Sequence, residues 1–75
     1  MDYYKGKMRA YRYIQSALTL AKQQDKVLSK NALILDITNQ FPTSELAIQK
    51  RLEMYEQQGF ILLKGDEITV LSEPN

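Results

Sequence analysis

The chain has 75 residues, of which 44% are hydrophobic and 25% charged, with a net charge of +1. A chain this short builds one domain around one core and buries only about 60% of its unfolded surface, so a homodimer is expected as a source of further burial. It contains no cysteine and no histidine, which removes disulfides, thiolate chemistry, imidazole bases and the usual zinc ligands, and leaves no expectation of an enzyme, a metal site or a cofactor.

No segment approaches the ~18 apolar residues of a membrane span, and Met1-Asp2-Tyr3-Tyr4-Lys5 is not followed by a signal-peptide core, so a cytoplasmic protein is expected. Charge is unevenly spread. Residues 1–30 carry seven basic residues against two acidic, a balance of +5, while residues 31–75 carry three against seven, a balance of −4.

Residues 1–7 read as a flexible basic and aromatic arm, with Gly6 interrupting any helix. From Met8 the pattern turns helical, because Tyr11, Ile14, Leu18 and Ala21 recur at three and four, which predicts a first helix over 8–24. Arg9, Arg12, Gln15, Thr19 and Lys22 form its wet face. Val27-Leu28 is a short apolar pair ahead of Ser29, a good N-cap for a second helix over 29–39 with Ala32 and Leu35 turned inward and Ile34 a further candidate for that face. The run Ala32-Leu33-Ile34-Leu35 is apolar nearly all round. Either this helix is clamped on two sides, or Leu33 and Ile37 are left for a partner.

Pro42 cannot continue a helix, and Thr43 and Ser44 offer side-chain oxygens to the free amides of a third helix over 44–58. Ile48, Leu52 and Tyr55 share its inner face, and Gly59 closes it. Two apolar runs, 60–64 and 67–71, flank Gly65-Asp66 and predict a hairpin pairing Lys64 with Glu67, Leu63 with Ile68 and Ile61 with Val70. The tail, 72–75, is expected to fray. The expected core is Ile14, Leu18, Leu28, Leu35, Ile48, Leu52, Tyr55, Ile61 and Val70. Leu33, Ile37, Met54, Phe60, Leu62 and Leu71 are left over as a possible dimer patch.

Ile48, Leu52, Tyr55, Gly59 and Phe60-Ile61, followed by a hairpin, resemble the second half of a winged helix-turn-helix domain. The resemblance implies an α+β fold over residues 8–71: a three-helix bundle with a C-terminal antiparallel hairpin, or wing, of two or three strands, Val27-Leu28 supplying the third. In size and plan the chain is also similar to the small single-strand-binding winged-helix proteins of mobile genetic elements. In duplex-reading winged helices the third helix is the recognition helix, and that resemblance places Ser44, Glu45, Ala47, Gln49, Lys50 and Arg51 toward base edges.

Two sets of residues therefore stand as candidates for nucleic acid. Gln49, Lys50 and Arg51 are one. The helix that holds them has two basic residues against Glu45, Glu53 and Glu56, and the hairpin tip, Lys64-Gly65-Asp66-Glu67, is short and acidic, so both repel phosphate overall. Asp66-Glu67, Glu53 and Glu56 read as solvated surface. The second set is Tyr3, Tyr4, Lys5, Lys7, Arg9, Arg12 and Tyr13, together with Tyr11, a mixture of cations and aromatic rings suited to single strands. The leading expectation is a DNA-binding protein with little sequence preference that favours single strands through its amino-terminal region. A sequence-specific reader of double-stranded DNA and a protein-protein interaction module are the alternatives.

Overall fold

The computed structural model describes residues 3–74, with side chains from Met8 onward. Six elements follow one another: α1 (Tyr3–Gln24), β1 (Leu28–Ser29), α2 (Lys30–Gln40), α3 (Glu45–Gln57), β2 (Ile61–Lys64) and β3 (Glu67–Val70). The strands form one antiparallel sheet in the order β1-β3-β2. The fold is α+β, three helices packed on one face of a three-stranded sheet.

The helix ends show why the elements stop where they do. Ser29 and Ser44 are the N-caps of α2 and α3, their hydroxyls accepting from the amides of Ala32 and Ala47. Behind α3, Gly59 at φ 84° lets its own amide donate to Glu56 and the Phe60 amide donate to Tyr55, the paired closure that a left-handed residue permits. The same closure ends α1, with the amides of Asp25 and Lys26 donating to Lys22 and Ala21, but here the left-handed residue is Asp25 at φ 54°. Aspartate is among the few non-glycine residues that visit this region.

The hairpin adopts the expected register: Ile61 opposite Val70, Leu63 opposite Ile68 and Lys64 opposite Glu67. Its inner residues Ile61, Ile68 and Val70 meet Ala10, Ile14, Leu18 and Ala21 of α1, Leu33, Ile34 and Ile37 of α2, and Ile48, Leu52 and Tyr55 of α3 in one core. Leu28 packs at the edge of that core. Leu35 does not belong to it.

Leu35 is 61% exposed whereas Ile37 is fully buried, so α2 sits rotated from the expected orientation. The reason is area. A face of Ala32, Leu35 and Ile34 offers two large side chains, while Leu33, Ile34 and Ile37, with Phe41 beyond them, offer four, and burial free energy scales with apolar area; Ile34 is buried as expected. Leu33 and Ile37 are therefore core rather than surface for a partner. Met54 and Phe60 are also packed against the core. Of the six residues expected as a patch, Leu62 and Leu71 remain about half exposed.

Two terminal segments also differ from expectation. Residues 3–7 form the first turns of α1, with Gly6 inside the helix. The tail packs onto α1: the Gln15 side-chain amide donates to the Pro74 carbonyl at 2.9 Å, and Pro74 is buried.

One interaction closes the sheet onto the helices. The Asp66 carboxylate at the hairpin tip accepts from the Ser29 hydroxyl and, at 2.8 Å, from the Asn31 amide, while the Asp66 carbonyl accepts from the Lys30 amide at 2.6 Å. A carboxylate at the first turn of a helix satisfies amides that have no partner within it and complements the helix dipole. Asp66 is thus a cap for α2 supplied by a hairpin more than thirty residues away. Glu56 acts similarly, accepting from the Leu63 amide at 2.9 Å on the outer edge of β2. Neither is the idle surface charge that its position suggested.

Two predictions follow from this packing. Ile37→Ala should cost about 2–5 kcal/mol in denaturant unfolding and Leu35→Ala no more than about 0.5 kcal/mol; the reverse order would mean that α2 presents its other face. The second concerns Asp66. The Ser29 hydroxyl first, then the Asn31 amide and the nearby Lys30 charge, hold its carboxyl below the ordinary value of 3.8. A group depressed in the folded state stabilises above its unfolded value, and that contribution fades as the pH falls through the folded value. Asp66→Asn should therefore melt lower than the parent at neutral pH, with the gap narrowing below about pH 4. A gap that does not change with pH would exclude the carboxylate charge as its cause.

Candidate nucleic-acid interface

The two candidate sets lie on different elements, and the structure brings part of each together. Tyr11 leaves α1 on the flank that faces α3, where the Arg51 guanidinium lies over its ring, 3.7 Å from the centroid. Such a cation–π contact is worth about 0.5–1 kcal/mol at an exposed site and more where water is excluded. It fixes a long, flexible side chain in one place. The Arg51 Nη1 group also points at the Met54 sulfur, at 3.8 Å.

Around this pair runs an open groove of about 390 Å³, lined by Tyr11 and, from α3 and its cap, Ser44, Leu46, Ala47, Lys50, Arg51 and Met54. Among the described residues its lining has two cations and no carboxylate. That absence is informative in a helix whose acidic residues outnumber its basic ones. Glu45, Gln49 and Glu53 recur at intervals of four and form a separate stripe, with the Gln49 side-chain amide donating to Glu45 at 3.1 Å. Glu56 is bound to β2. The third helix is thus divided lengthwise into a basic flank against α1 and an acidic flank facing away. A net charge taken over the whole helix conceals this division.

The remaining candidates are placed as follows. Arg9 and Arg12 are exposed on α1. Arg12 lines a second groove, with Gln15, Ser16, Thr19, Leu20, Gln23 and Pro74, between α1 and the tail, and so stands apart from Lys50 and Arg51. Tyr13 lies on the far flank of α1. Its hydroxyl donates to Asp36, it accepts from Gln40, and its ring tilts against Phe41 at 5.5 Å. These contacts pin α1 to α2. Gln49 is engaged by Glu45, and Lys50 is exposed. Tyr3, Tyr4, Lys5 and Lys7 belong to the first turns of α1, and their side chains lie outside the described residues.

Leu46 and Met54 are not among the expected site residues, and Tyr11 is expected both on the inner face of the first helix and among the aromatic rings of the second set. The signal is present in the spacing: 46, 50 and 54 recur at four on α3, with 47 and 51 beside them, while 45, 49 and 53 recur at four on its other flank. Leu46 is 60% exposed beside this groove, an apolar side chain where solvent would favour a polar one.

No protein family, curated protein or solved structure matches the chain. Among the described residues there is no group of three or more potential metal-ligating side chains, and no helix is long and apolar enough to cross a membrane. The site is therefore read from its own chemistry: one cation held by an aromatic ring, a second in solvent beside it, and apolar walls.

The Arg51–Tyr11 contact makes a testable claim about stability. Arg51→Ala should lower unfolding free energy by about 0.5–1 kcal/mol, whereas Lys50→Ala should leave it within about 0.5 kcal/mol. Equal effects of the two changes in denaturant titrations would mean that the guanidinium gains nothing from the ring.

Proposed function

We propose that this is a DNA-binding protein of winged-helix type, which favours single strands, reads little sequence and makes its main contacts along the basic flank shared by α1 and α3. The element order α1-β1-α2-α3-β2-β3 and the strand order β1-β3-β2 are compatible with the winged-helix layout. The observation that carries the functional reading is the separation of charge on α3, with Lys50 and Arg51 beside Tyr11 in a groove that no carboxylate of the described residues lines.

Phosphate contacts supply most of the affinity of such proteins and carry no sequence information. Lys50 and Arg51 are suited to that role. Direct reading of a duplex is less well supported: Gln49, the side chain best suited to adenine, is tied to Glu45, and an α3 inserted into a major groove would bring its acidic flank against phosphates. The hairpin tip is also committed elsewhere, since Asp66 is bound to the start of α2. Arg9 and Arg12 add positive potential on the outer face of α1, which steers a polyanion toward the domain.

Fluorescence anisotropy of labelled single-stranded and double-stranded oligonucleotides over a salt series tests this reading. The parent should bind single strands more tightly than the same sequence as a duplex, with affinity falling as salt rises. Removing both Lys50 and Arg51 should weaken all sequences alike and reduce the slope of log affinity against log salt by about two, one per lost phosphate contact. Removing Arg9 and Arg12 should have the smaller effect. Loss of binding to one particular duplex alone would instead identify an operator-reading regulator. Absence of binding to any oligonucleotide at low salt would favour a protein-interaction module.

A further inference from the structure

We propose that the groove between α1 and α3 is a seat for one unstacked nucleotide, with the phosphate held by Lys50 and Arg51 and the base laid against Leu46, Met54 and the Arg51–Tyr11 stack. This inference rests on the DNA-binding reading and adds to it a unit of recognition. It also supplies a physical cause for the preference for single strands.

Size, shape and chemistry lead to the same ligand. A volume of about 390 Å³ lies at the lower end of the ~300–1,000 Å³ of small-molecule sites. That suits one nucleotide rather than a run of stacked ones. The groove is concave and lies between two helices, whereas a duplex is read by a convex element entering its groove. Its two cations are adjacent on α3, and Arg51 is held by the Tyr11 ring at 3.7 Å. A guanidinium over a ring face still has N–H groups to offer an anion, and it is weakly hydrated enough to work beside apolar groups. A free inorganic anion would need only the cations.

The apolar wall calls for a ligand with a planar, weakly polar part. Leu46 is 60% exposed and Met54 is half-buried against the Arg51 guanidinium. Thioethers adapt to flat rings, and nucleobases in single strands are received by arginine planes and aromatic faces. A paired base in a duplex is stacked on both sides and is not available to such a seat. The groove therefore accepts a nucleotide only after it leaves the stack, regardless of which base it carries.

Amide and aromatic NMR spectra of the intact protein, titrated with thymidine 5′-monophosphate, thymidine and inorganic phosphate in parallel, test the proposal. The nucleotide should shift the amides of 44–54 and the Tyr11 ring, and inorganic phosphate should bind about tenfold more weakly, the value of one modest stacking contact. Leu46→Ala, at an exposed position that does not endanger folding, should weaken the nucleotide and leave phosphate unchanged. Lys50→Ala should weaken both. The proposal is overturned if phosphate and nucleotide bind alike and Leu46→Ala changes neither, or if oligonucleotides bind while the shifts they cause centre on the Arg9 and Arg12 face. In that second case DNA binding stands without the seat. If no oligonucleotide binds at low salt, the functional reading itself has failed, and the nucleotide seat fails with it.

Discussion

The fold depends on how a hairpin from the end of the chain meets a helix from its middle. β1 has only two residues, too few to be stable as a strand by itself. It is held because β3 pairs with it along one side while the Asp66 carboxylate and carbonyl take up the hydroxyl and amides that begin α2. One turn of chain thus serves as the hairpin's tip and as the helix's cap. That arrangement ties the sheet to α2, while Ile61, Ile68 and Val70 pack it against all three helices. In a domain with so little area to bury, polar contacts that satisfy otherwise orphaned backbone groups are a large share of the net stability.

The same economy governs the acidic residues. Asp66 caps a helix, Glu56 satisfies an amide on the outer edge of the sheet, and Asp36 receives the Tyr13 hydroxyl and the Gln40 amide. Charges engaged in this way are partly offset by the donors they face, and they hold positions away from the groove. The cations have the opposite fate. Arg51 is held by an aromatic ring and Lys50 stays in solvent, so positive potential concentrates on one flank of a nearly neutral protein. Binding of a polyanion responds to that local field rather than to the sum over the chain.

The edge of β2 shows a related use of a side chain. Strand edges with free amides invite pairing with other chains. The Glu56 carboxylate covers the Leu63 amide, so the helix that presents the groove also shields the sheet it packs on. α3 accordingly has three faces with distinct roles: a core face of Ile48, Leu52 and Tyr55, a basic flank toward α1 and an acidic flank that reaches β2 at its end.

Much of this was legible in the amino-acid sequence because it is set by local rules. Helix periodicity, serine caps, the glycine closing α3 and the alternation around Gly65-Asp66 are properties of a few neighbouring residues, and the hairpin register follows once its turn is known. Lys50 and Arg51 stand as candidates through the resemblance to a winged helix, by their place on its third helix. The orientation of α2 was not decided at that level: four consecutive apolar residues satisfy more than one helical face, and only competition for area in the shared core selects Leu33, Ile34 and Ile37 over Leu35. Nor could local pattern bring Tyr11 under Arg51, forty residues away, or Asp66 to the start of α2. Such contacts depend on where whole elements come to rest, and that placement is a property of the packed core rather than of any segment within it.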